Sequence, residues 1–139
     1  MSVYYWKRHQ TSAQFVFTAK ELKLTICRAI ANANVKKFSV YGAGELVKYV
    51  CELRRLTMEA NFRPSIEREI YIRYDYLIRA RQAFYNVVSQ FEDTSELMSI
   101  SDSVKDTVSD LMEKEEALLN GVIASDRKKY ERYLSKLPL

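Results

Sequence analysis

The residues that most often do chemistry are scarce in this chain. His9 is the only histidine. A zinc set, a nucleophile–histidine pair or histidine acid–base work each lacks its usual partner. The Glu-x-x-His pairs of di-iron bundles do not occur. "GAGE", Gly42 to Glu45, resembles a phosphate loop only in its glycines: no Gly-Lys-Ser/Thr follows and no strand precedes it. Cys27 and Cys51 sit inside helical patterns and read as buried free thiols of a reducing compartment. The expectation is a protein with no catalytic residue, no metal and no cofactor.

What the chain does carry is arginine among aromatic rings. Between Asn61 and Val88 there are five arginines, six aromatic residues and no glycine. A solvent-facing helix has no need of the rings, and a dry core helix would not hold the charges. Guanidinium groups suit phosphate because their planar fork donates two hydrogen bonds at once. Tyr71, Tyr74, Tyr76 and Tyr85 could stack on unpaired bases. The candidate RNA-binding residues are Lys36, Lys37, Lys48, Arg54, Arg55, Arg63, Arg68, Arg73 and Arg79. The plainer reading is a solvated face of i,i+4 ion pairs, for which Glu69–Arg73 and Asp75–Arg79 have the favourable order. Arg81 lies beside the apolar seam and is expected to meet Glu115, in the core or across a subunit interface.

Charge is divided along the chain. Residues 1–91 hold 15 basic and 7 acidic residues, and residues 92–126 hold 2 basic against 10 acidic. Residues 127–139 are basic again, with 5 basic residues against Glu131. A basic body beside an acidic helix suits an anionic partner, or charge-matched packing between copies of the chain.

These residues need elements to position them. At 139 residues the chain is one domain, long enough for a core without disulfides or metal. Three glycines and two prolines leave little material for tight turns, which favours long helices. Thr11 or Ser12 can cap a first helix, whose seam is Phe15, Ala19, Leu22, Ile26, Ala29 and Ala33. Ser39 can cap a second, from about Val40 to Ala60, with the seam Leu46, Val50, Leu53, Thr57 and Ala60. Pro64 and Ser65 favour a restart, so a third helix is expected from Ser65 to Phe91 on Ile70, Leu77, Phe84 and Phe91. Ser101 caps a fourth, Asp102 to Ala124, on Val104, Val108, Leu111, Leu118 and Val122. The reading is an all-α fold, an antiparallel up-down four-helix bundle with a short basic C-terminal tail helix. Its parts are an N-terminal extension (1–10), the bundle (11–125) and the basic tail (126–139). No run is apolar enough for a membrane span and no leader is evident, so the expected setting is cytoplasmic, away from membranes.

As a whole the pattern resembles a four-helix bundle family. That family includes the accessory variability determinant of diversity-generating retroelements and the proteins encoded in 23S ribosomal RNA intervening sequences. The resemblance lies in "VKKFSVYGAGEL" before and into helix two, "RRLTMEAN" at its end, "YDYLIRARQAF" in helix three, "ELMSISDSV" at the next turn and "LLNGVI" in the last helix. It spans about Ala19 to Ile123. The proline of the family's first turn is missing here, and Val122 stands where its last motif has tryptophan. The resemblance implies a non-catalytic, basic homo-oligomer, a pentamer, that binds a reverse transcriptase and template RNA (or an RNA/DNA hybrid) and supports mutagenic cDNA synthesis. The rival expectation is a protein-binding helical adaptor or assembly protein, a phage or toxin-system component, which the acidic fourth helix and apolar tail favour.

Overall fold

The computed structural model describes residues 13–33 and 42–134. Four long helices and a short fifth hold 87% of these residues, with no strand among them. They are α1 Gln14–Asn32, α2 Ala43–Phe62, α3 Ile70–Leu97, α4 Asp102–Lys129 and α5 Glu131–Leu134. α1 and α3 each pack on both α2 and α4, so the long helices close a ring around one core, and α5 rests on α4. Among the described residues no helix is long and apolar enough to cross a membrane. Thr11, Ser12 and Ser39, and the stretch 1–10, lie outside the described residues.

The seams account for the core. Leu46, Val50, Leu53, Thr57 and Ala60 of α2 are all fully buried, as are Ile70 and Leu77 of α3, with Phe84 and Phe91 nearly so. In α4 the buried line runs through Val108, Glu115, Leu119 and Ile123, while Val104, Leu111, Leu118 and Val122 are only half-buried. Val108 of the expected seam stays at its centre, and further along α4 the buried stripe moves to the seam's flank at Leu119 and Ile123, with Glu115 buried between. Arg81 does not meet it. Its guanidinium donates to Asn120 Oδ1 at 3.3 Å. Both Glu115 carboxyl oxygens are buried, with no hydrogen-bond partner among the described residues. Burial pushes this carboxyl up to about 9, against a small opposing pull from Lys114. Cys27 and Cys51 are free and half-buried.

Helix ends differ from the expected ones for local reasons. α3 starts at Ile70 because residues 65–69 form turns, in which Ile66 N–H donates to the Pro64 carbonyl and Glu69 N–H to that of Ile66. It then runs six residues past Phe91. Thr94 and Ser95 are buried there, and Ser95 Oγ donates back to the Glu92 carbonyl, so polar residues that read as a loop satisfy themselves within the helix. The helix closes in a Schellman turn: Ile100 N–H donates to the Ser95 carbonyl and Ser99 N–H to that of Glu96. Ser99 occupies the left-handed position, with φ 54°. Ser101 Oγ then accepts from Val104 N–H, capping α4 where the sequence placed it. A side chain in left-handed backbone is disfavoured, so Ser99→Gly should raise stability by about 0.5–1 kcal/mol in urea unfolding.

At this same end of α3, Gly42 begins α2 with φ 74°, and a Cβ there would fall 2.2 Å from Gln90 Nε2. Gly42 thus places the start of α2 against the end of α3. Gly44, also small, has nothing nearby that requires it.

Candidate nucleic-acid interface

The outer face of α2 is set by its buried seam, which leaves Lys48 and Arg55 exposed on the opposite side. Arg55 Nη2 donates to Glu52 Oε1 at 2.6 Å, one helical turn back. That bond raises the Arg55 guanidinium above its ordinary range, helped by the fields of Glu52, Glu59 and Tyr76. Arg54 points elsewhere. It is half-buried and donates to the Val16 carbonyl of α1 at 3.3 Å, and burial lowers its guanidinium.

Arg63 follows α2 directly and lies over the Tyr76 ring, 5.2 Å from its centroid. Arg79, one turn further along α3, lies 5.5 Å from the same centroid. Arg63 reaches Glu59 at 3.9 Å and Arg79 reaches Asp75 at 3.7 Å. Arg63 Nε is buried and donates to nothing. Two arginines, one from the α2–α3 turn and one from α3, thus meet on one tyrosine. Each sits beside a carboxylate on a half-exposed or exposed surface.

Arg73 has a different job. Its Nε donates to Asp126 Oδ2 at 2.6 Å, and its Nη1 to the carbonyls of Ala60 and Arg63 at 3.1 and 3.0 Å. Ser65 Oγ donates to the other Asp126 oxygen at 3.0 Å. Both side chains are largely buried, at 12% and 6% exposure. One guanidinium therefore covers the open carbonyls at the end of α2 and ties α3 to the last turn of α4. The expected Glu69–Arg73 pair does not form. α5 completes this end: Tyr130 O–H donates to the Ser65 carbonyl, Tyr133 O–H to Glu67 Oε1, and Tyr71 O–H to the Tyr133 carbonyl at 3.0 Å. The Glu67 hydrogen bond holds the Tyr133 phenol above its usual range.

Of the sequence-derived set, Arg63 and Arg79 come together on Tyr76, and Arg55 is exposed on α2 beside Glu52. Lys48 and Arg68 are exposed and apart from them, while Arg54 and Arg73 are engaged by the fold. Lys36 and Lys37 lie outside the described residues. Protein-family models, curated proteins and solved structures offer no match to the chain. The functional reading rests on the molecule's own surfaces. Sequence reasoning missed Arg127, Lys128 and Arg132 as a surface: they are exposed at the end of α4 and in α5. Their signal was the charge block after residue 126. It missed Asp126 and Ser65 altogether, since nothing in the sequence links residues 61 positions apart.

Proposed function

We propose that this chain is a non-catalytic RNA-binding accessory protein, an antiparallel up-down bundle that holds nucleic acid against a partner. The observation that carries the reading is the convergence of Arg63 and Arg79 on the Tyr76 ring, with Arg55 exposed on the neighbouring helix α2. Exposed ion pairs contribute only about 0–1 kcal/mol. The carboxylates therefore hold these guanidinium groups in place without consuming them, and a phosphate can exchange for a carboxylate. Tyr76 already faces two guanidinium groups, so any base stacking falls to the exposed Tyr71 and Tyr85. Such contacts position a backbone and select sequence weakly. A reverse transcriptase as partner and a role in mutagenic cDNA synthesis follow from the family resemblance described above.

Replacing Arg55, Arg63 and Arg79 together by alanine should weaken RNA binding and flatten its salt dependence by roughly one unit of log–log slope per lost phosphate contact. Helix content should persist. Lys114, alone on the acidic helix, is the control, and its loss should leave the slope unchanged. Unaltered affinity and slope in the triple variant would sink this interface.

A second reading, a protein-binding adaptor with no nucleic-acid role, is favoured by Phe62 and Ile72. They are 52% and 48% exposed, adjoining Arg63 and one turn before Tyr76 respectively. Arginine and tyrosine beside exposed apolar groups is also the composition of protein interfaces. The two readings part on the absorbance ratio at 260 and 280 nm of the purified protein. Salt-removable nucleic acid supports the first, and a protein partner retained without nucleic acid supports the second.

A further inference from the structure

The two ends of the bundle differ in a complementary way. α3 is 28 residues long, so its ends lie about 40 Å apart. At its far end Leu97 is 57% exposed, the most exposed large apolar residue among those described. Asp93, Glu96, Asp102 and Asp106 are exposed around that turn or on the adjoining start of α4, and none forms an ion pair among the described residues. At the near end an open depression of about 560 Å³ is lined by Ile66, Glu67, Arg68, Tyr71 and Tyr133. Ile66 and Tyr71 expose 38% and 40% of their surface there. Arg68, Arg127, Lys128 and Arg132 are exposed at this end and likewise unpaired.

We propose that this chain associates end to end with itself, Leu97 and its acidic neighbours entering the basic-rimmed Ile66–Tyr71–Tyr133 depression of the next copy. The occupant is a second copy because both halves of the match are present on one molecule: an exposed leucine among free carboxylates, and a largely apolar hollow walled by Arg68, with its Glu67 engaged by Tyr133 and further exposed cations on the adjoining end of α4 and on α5. The macrodipole of α4 accounts for part of the charge order, since acids suit its start and bases its end. It does not account for an exposed leucine at one end or an apolar hollow at the other. The contact joins different patches 40 Å apart on each molecule, so it is heterologous and repeats without closing on two copies. It shares Tyr71 with the RNA reading and is distinct from a five-membered ring.

Light scattering after size exclusion tests this. In low salt the wild-type mass should rise with concentration past the 16.3 kDa monomer, and high salt should reverse the rise. Leu97→Asp removes the knob and Ile66→Asp removes the hollow. Both positions are solvent-facing, and circular dichroism checks that each variant folds. Each variant alone should stop growing, whereas an equimolar mixture should form a dimer and nothing larger, because one intact end remains on each. A wild type that stays monomeric in low salt, or stays at one closed size whatever its concentration, overturns the proposal. So do variants that associate like wild type, or a mixture that stays monomeric.

Discussion

Asp126→Ala should cost the fold about 3–5 kcal/mol, because it leaves the Arg73 guanidinium buried beside no carboxylate. That is a large share of the roughly 5–15 kcal/mol by which domains are stable. The loss has three parts. The charge pair at 2.6 Å is broken, Ser65 Oγ loses its acceptor, and Arg73 loses the anchor that keeps Nη1 on the carbonyls of Ala60 and Arg63. Urea unfolding of Asp126→Ala, Arg73→Met and the double variant reads the coupling. The double variant should lose much less than the sum of the singles, since it removes both charges. A loss under about 1 kcal/mol in Asp126→Ala would place this pair with ordinary surface ion pairs and refute its role as a lock.

Glu115→Leu should act in the opposite direction and stabilise the protein. With the folded carboxyl raised to about 9 and an unfolded value near 4.5, the folded state binds the proton more tightly. Stability from this group is therefore full below the unfolded value, and it declines as pH rises toward the folded one. At pH 7 the deficit relative to acid conditions is about 3 kcal/mol at one unit per 1.4 kcal/mol. Leucine removes both the proton dependence and two unsatisfied buried oxygens. Urea unfolding at pH 5, 7 and 9 should show a downward slope in wild type and a much flatter profile in Glu115→Leu, and also in Glu115→Gln. A wild-type stability that does not fall between pH 5 and pH 9 would show that the carboxyl finds a partner or water.

What the sequence showed well were the periodic parts. The seams of α2 and α3 are buried as their spacing predicts, and Ser101 caps α4, because seven-residue recurrence and side-chain capping are local signals. The breaks were read less well. Thr94 and Ser95 carry loop-like residue types yet lie buried in helix, since tertiary packing overrides propensity. Arginine posed the harder problem. Arg54, Arg63, Arg73 and Arg79 look alike in sequence, but one donates to a neighbouring helix, two lie over a ring and one binds Asp126. Those fates depend on partners elsewhere in the chain. Arg63 meets Tyr76 through the α2–α3 turn, and Arg73 meets Asp126 from 53 positions away.

That last separation has a kinetic meaning. α2 and α3 are joined by the seven residues 63–69, so their pairing needs only a short loop to close. Arg73 and Asp126 can meet only after α4 has formed along its whole length and returned to the start of α3. Their bond is made after the crest of the folding barrier and broken before it on the way out. Loss of Asp126 should thus leave the refolding limb of a chevron plot almost unmoved and shift the unfolding limb upward, raising the unfolding rate in water. The residue works as a brake on escape from the native state, and what it sets is the protein's lifetime.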